Sequence, residues 1–409
     1  MEVWRKNLFV LWGTQFLAML GMNLVVPFLP FFVRELGVQS ESDVALWSGA
    51  AFAGTFLSAF VATPFWGTLG DRYGRKAMVI RAIVGLALSQ IFIGLSQNVY
   101  QLVAFRVLQG GISGFIASSL ALVSTNTPKD KIGYALGILQ SSTASGMVLG
   151  PFVGGLLADI IGYRSIFFIT AFLCATGGLV VALMVQEANP REQTAAKITV
   201  ADNIRLMYSN RQLRVVGLSL VVAQAAVLMI EPIFALFVES FNIATEYLST
   251  LTGAIFSVAG VFMIISAPWW GKRNDRSGHR KNLTLALCGA SVAYAGHLFV
   301  TNLVQLGVLR AFLGFARGAV LPGLYSLVSI HAPAERRGGM MAIASSLTLL
   351  GNTIGPLLGG FTASMFGIRT AFFVASLILM FLCIFLWKEM ADTLPGGRTP
   401  FTESTSESC

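Results

Sequence analysis

One short charged stretch restricts what this chain can fold into. Gly67-Thr68-Leu69-Gly70-Asp71-Arg72-Tyr73-Gly74-Arg75-Lys76 lies between two long apolar runs. Its pattern returns as Gly271-Lys272-Arg273-Asn274-Asp275-Arg276-Ser277-Gly278-His279-Arg280-Lys281, again between apolar runs. Pro27 likewise returns as Pro232, Arg106 and Gly110 as Arg310 and Gly314, and Gly162 as Gly367. A register held this far along the chain describes two homologous halves, the signature of an internally repeated membrane protein.

Composition agrees. Of 409 residues, 55% are hydrophobic and 11% charged, where soluble domains carry about 25% charged residues. A helix needs about 20 apolar residues to cross a bilayer. The expected fold is therefore all-α and polytopic, with twelve transmembrane helices in two pseudo-symmetric six-helix halves. The expected bundles are 1–185 and 213–388, joined by a cytoplasmic linker at 186–212 and followed by a disordered tail at 389–409. The net charge of +9 does not indicate nucleic acid, because the basic residues sit in short loops between apolar runs. With the N-terminus inside, 21 of the 28 Lys and Arg residues fall on the inner side. Arg34, Arg164 and Arg369 fall outside, and Arg81, Arg106, Arg310 and Arg317 within spans. That imbalance puts both termini in the cytoplasm. The four cysteines show no metal or disulfide spacing, so no metal site is expected. No HExxH, GxSxG or P-loop occurs, which argues against an enzyme and against ATP as energy source.

Several residues stand out chemically. In the charged stretch, Gly67, Gly70 and Gly74 permit a backbone reversal. Asp71 can cap a helix or pair with an arginine, latching span ends in one state. Arg72, Arg75 and Lys76 either join that latch or only anchor topology. The second copy offers Gly271, Asp275, Arg276, Gly278 and Arg280. In span 5, Gly146, Gly150 and Gly154 recur every fourth residue, with Pro151 and Gly155 beside them. They form one face for close approach to a helix of the other half, or for plain packing. Gly355, Pro356, Gly359 and Gly360 repeat this in span 11.

Glu231 is the one acid well inside a span. A carboxylate there is costly in lipid and must face a cavity or a partner. It is a proton carrier or a counter-charge for a cationic substrate, or else a fixed ion pair with Arg310. Asn23, Gln109, Gln224 and Tyr325 are polar span residues that line a path or bond between helices. Three arginines, Arg106, Arg310 and Arg317, also leave room for an anionic substrate.

These motifs resemble the major facilitator superfamily and, within it, the twelve-span drug:proton antiporters. The charged stretch is similar to the superfamily's loop 2–3 signature. Arg106-Val107-Leu108-Gln109-Gly110-Gly111 resembles its span-4 signature, and Gly146–Gly155 its antiporter signature in span 5. Pro27-Phe28-Leu29-Pro30 with Trp47-Ser48-Gly49 resembles the MdtG-type multidrug exporters. The resemblance implies a proton-coupled exporter of small amphipathic molecules, working by alternating access. It implies a bacterial cytoplasmic membrane location, no cofactor beyond the proton gradient, and a monomer whose partners are substrate, protons and lipid. It also implies that Arg106 takes part in proton handling. The alternative is a transporter of an anionic metabolite or siderophore.

Overall fold

The computed structural model describes residues 2–112, 114–187, 200–243 and 245–390; the side chains of Thr68, Asp71, Arg72, Lys129, Val200, Asp275 and Ala334 are not among what it describes. Among the described residues the secondary structure is helical, without strands. Twelve helices are long and apolar enough to cross a membrane. Spans 1 to 6 are Val3–Glu35, Glu41–Trp66, Arg75–Gly94, Val99–Asn126, Ile132–Ile161 and Tyr163–Met184. Spans 7 to 12 are Arg211–Glu239, Leu248–Asn274, His279–Phe299, Leu303–His331, Arg337–Phe366 and Ile368–Glu389. The expected linker lies partly, and the expected disordered tail almost wholly, outside the described residues.

The repeat extends to individual hydrogen bonds. Trp66 Nε1 donates to the Gly111 carbonyl at 2.7 Å, and Trp270 Nε1 to the Phe315 carbonyl at 2.8 Å. Arg164 Nη1 donates to the Gly94 and Ser96 carbonyls, while Arg369 donates to those of Leu298 and Val300. Each of these donors reaches carbonyls at the corresponding place in its own half. Lipid cannot solvate such carbonyls, so the bonds carry over wherever the backbone does.

Spans 1 and 7 break at matching places. Helix Val3–Leu24 gives way to a 3-10 turn at Val26–Phe28, and helix Arg211–Leu228 to one at Glu231–Ile233. Pro27 and Pro232 cause this, since proline has no N–H to donate. Span 4 breaks as well, between Val99–Ile112 and Phe115–Asn126, with Gly114 at φ 114°. Span 10 runs unbroken through the corresponding level.

The charged stretch differs from expectation. Helix Glu41–Tyr73 continues through Gly67 and Gly70, and helix Leu248–Ser277 through Gly271. The chain reverses only at Gly74 (φ 91°, ψ 150°) and Gly278 (φ 83°, ψ 154°). An extended helix satisfies its own backbone in the interfacial zone, so one left-handed glycine suffices for the turn.

The described chain forms two compact units. One takes in the described residues within Met1–Gln193, Glu231–Ser257 and Pro356–Ile368; the other takes in those within Thr194–Ile230, Val258–Gly355 and Arg369–Cys409.

Candidate functional site

In the first unit, the glycine face of span 5 rests on span 1 of its own half. A Cβ on Gly146 would meet Met19 Cβ at 2.6 Å, and one on Gly150 would meet Asn23 Cβ at 2.5 Å. At Gly154 it would collide with the Leu24 carbonyl. The expectation that this face meets the other half is therefore corrected. A spacing of four fixes which residues share a face but not which helix covers it. Gly155 alone of these four reaches the second repeat, where the backbone at Ser249 and Thr250 leaves no room for a side chain. The reciprocal crossing occurs in span 11, where Gly360 lies against Ala45 and Gly49 against Pro356. Gly359 is buried beside it.

Polar contacts reinforce these crossings at the ends of spans 1, 5, 6, 7 and 8. Arg34 Nη1 lies 2.7 Å from both carboxylate oxygens of Glu239. Asp159 accepts from the Ser249 and Thr250 amides at 3.2 and 2.8 Å and from the Thr250 hydroxyl at 2.7 Å. It thus neutralises the unpaired donors at the start of span 8 and sits favourably on that helix dipole. Tyr163 and Ser249 hydroxyls bond at 2.8 Å. Sequence reading passed over these acids because they stand at span ends. Asp159 carried a usable signal, being four residues past Gly155 on the same face.

At the opposite end of this unit, Glu187 binds the start of span 3. Its carboxylate accepts from the Arg75 amide at 2.7 Å and the Lys76 amide at 3.1 Å. Lys76 Nζ donates to the Ala182 carbonyl and Arg75 Nη1 to that of Ala121. Glu187 thus caps this helix N-terminus. The side chains of Asp71, Arg72 and Asp275 lie outside the described residues. In the second unit Arg280 donates to the Trp387 carbonyl, as Lys76 does to Ala182, and Arg276 is exposed.

The span-4 break has its own supports. Arg81 stacks 3.5 Å over the Trp66 ring and donates to the Ile112 carbonyl at 2.9 Å. Ile112 ends the first segment of the span. A cation at a helix C-terminus satisfies carbonyls that the break leaves open. One turn earlier, Arg106 Nη1 donates to Gln109 Oε1 at 3.2 Å, and the guanidinium lies 5.9 Å from the Phe167 ring. Arg106 Nε and Gln109 Nε2 are buried with no hydrogen-bond partner among the described residues. Buried donors are normally satisfied, so two of them side by side are unusual.

Glu231 is half-buried in the 3-10 turn that interrupts span 7. Asn23 donates to the Met19 carbonyl of its own helix at 2.7 Å. In the second unit, Arg310 is 3% exposed and Arg317 is half-buried. Tyr325 bonds the Thr348 hydroxyl at 2.9 Å. Gly351 and Gly355 pack on span 7 at Val221, Gln224, Ala225 and Leu228, repeating the span 5–span 1 contact.

Twelve apolar helices in two repeats, broken at prolines and carrying buried polar groups, define a multi-pass membrane transporter. The model of the Major Facilitator Superfamily matches residues 11–306 and again 216–406. The chain belongs to that superfamily. It is 34% identical over 384 residues to the multidrug resistance protein MdtG of Proteus mirabilis, covering 94% of this chain and 96% of that one. To MdtG of Escherichia fergusonii it is 36% identical over 387 residues, 95% of each chain. Among solved structures it is similar in fold to a bacterial homolog of the human lysosomal transporter Spinster, in an inward-facing and unoccupied conformation. That similarity has a TM-score of 0.78 at 14% identity and covers 95% of this chain and 97% of that one.

Proposed function

We propose that the protein exports drug-like amphipathic molecules from the cytoplasm across the inner membrane in exchange for protons. The observation that carries this reading is the match to multidrug resistance proteins over nearly the whole of both chains. Both termini face the cytoplasm in this reading, on the strength of the Lys and Arg asymmetry. No cofactor takes part, and the working unit is a monomer of two six-helix bundles joined by the linker.

Glu231 is the coupling group. Among the described residues it is the only carboxylate remote from the ends of a span. It sits where Pro232 has already released span 7 from regular hydrogen bonding. Gain or loss of its proton there changes both the local charge and the hydrogen bonds available to the bend. Arg106 and Gln109 offer free donors to polar groups of the substrate, with Arg310, Arg317, Asn23, Gln224 and Tyr325 as further polar groups. In this reading the contacts of Arg34, Asp159 and Tyr163 gate the pathway at one end of the first unit, and the charged stretches take part in the conformational cycle.

A second reading rests on Arg106. No carboxylate partners it among the described residues, which suits an anionic group on the substrate.

Glu231→Gln in proteoliposomes tests the coupling. The variant should insert and still exchange a cationic dye down its gradient, but lose accumulation driven by an imposed proton gradient. Accumulation at the wild-type rate would remove Glu231 from coupling.

A further inference from the structure

A groove of about 470 Å³ opens where spans 1 and 5 begin, lined by Trp4, Arg5, Leu8, Phe9, Lys131 and Tyr134. A water's share of liquid is about 30 Å³, so the space suits a far larger group. Trp4 and Leu8 are buried and form the floor, whereas Phe9 is 55% exposed and Tyr134 63% exposed. Both cations gather over the floor: the Arg5 guanidinium lies 5.3 Å, and the Lys131 ammonium 5.7 Å, from the Trp4 ring centroid. Glu2 accepts from Trp4 Nε1 at 2.8 Å and pairs with Arg5 at 3.5 Å. These three charges leave one net positive charge at the mouth.

Span 1 starts at Val3, which places the groove at headgroup depth. Exposed aromatic rings are at home there, apolar on one side and polar on the other. The second repeat does not carry the same lining: Ser209, Asn210 and Gly339 stand where the first has Trp4, Arg5 and Tyr134. The repeated architecture therefore does not account for it.

We propose that this groove binds one anionic glycerophospholipid of the phosphatidylglycerol type. The single phosphodiester charge matches the net charge of the groove. The phosphate lies between Arg5 and Lys131, and the first carbons of an acyl chain run along Phe9 and Tyr134. A zwitterionic lipid adds an ammonium that finds an excess of cations.

The full-length protein in phosphatidylcholine nanodiscs provides the test. Lipids carrying a nitroxide high on the acyl chain quench nearby indoles, and subtracting the Trp4→Phe variant isolates the signal of Trp4. Nitroxide phosphatidylglycerol should quench at a mole fraction several-fold below that needed with nitroxide phosphatidylcholine. The preference should fall about fivefold for each cation removed by Arg5→Gln or Lys131→Gln. High salt on the unmutated protein should weaken it in the same direction, which tests the site without relying on a variant's folding. Equal quenching by the two lipids would overturn the proposal. So would stronger quenching by nitroxide phosphatidylethanolamine, or displacement of phosphatidylglycerol by millimolar inorganic phosphate.

Discussion

Arg34 and Glu239 occupy the same position in the two repeats and are bonded to each other. Pro27 aligns with Pro232, and counting on from each proline places Arg34 opposite Glu239. One guanidinium nitrogen touches both carboxylate oxygens at 2.7 Å. Repeat-related positions meet where an assembly folds back on its own symmetry, so opposite charges at one repeated position make a self-complementary latch. Both side chains remain about a third exposed (28% and 36%), which limits the pair to roughly 1 kcal/mol.

The symmetry makes the pair exchangeable. Arg34→Glu should weaken the contact between these span ends, raising the reactivity of a nearby introduced cysteine about fivefold in a cysteine-free background. Adding Glu239→Arg should restore the unmutated rate. A double variant no better than the single one would show that the pair does not hold these span ends together.

Asp159 acts differently, on backbone rather than on charge. Asp159→Ala strips two amides and a hydroxyl of their acceptor at the start of span 8. A lost N-terminal cap costs about 1 kcal/mol. The contact between spans 5 and 8 should lose stability by that amount, while Asp159→Asn keeps part of the effect because its amide oxygen still accepts. Thiol labelling of a cysteine at Glu246 would rank the three proteins, and equal labelling of all three would reject the cap.

Span 5 contains its own control. Gly154→Ala forces a methyl group into the Leu24 carbonyl, so thermal stability and transport should both fall sharply. A Cβ at Gly137, on the same helix, meets nothing within 4 Å. Gly137→Ala should be neutral or slightly stabilising, since alanine favours helix by up to about 1 kcal/mol over glycine. Melting curves of the two variants in detergent check the contrast.

Arg81 supports the break in span 4, and its counterpart in the second repeat is Leu285. Arg81→Leu should cost about 1–3 kcal/mol, because the Ile112 carbonyl loses its charged donor. Hydrogen exchange should rise locally over Phe115–Asn126. Unchanged exchange there would mean that Trp66 and Gly114 hold the break without Arg81.

The chain's sequence determined the class of fold and its repeat. Apolar length fixes spanning helices, because lipid offers backbone groups no partner. Proline fixes the breaks in spans 1 and 7 wherever it falls, since the missing N–H belongs to the residue itself. The apolar runs, Pro27 and Pro232, and the paired signatures were legible for that reason. What each surface touches was left to the tertiary structure. The stripe of Gly146, Gly150 and Gly154 announces a close contact, yet only packing decides that span 1 fills it. Gly67 and Gly70 looked like parts of a turn but are helical, because Gly74 alone completes the reversal. Arg34, Asp159 and Glu187 read as ordinary end charges until folding brings Glu239, the span 8 amides and the span 3 amides to them. Such pairings join residues about 90 to 200 positions apart, and no local pattern encodes them: a helix's sequence sets which face is apolar or thin, while its neighbour is chosen by the whole bundle.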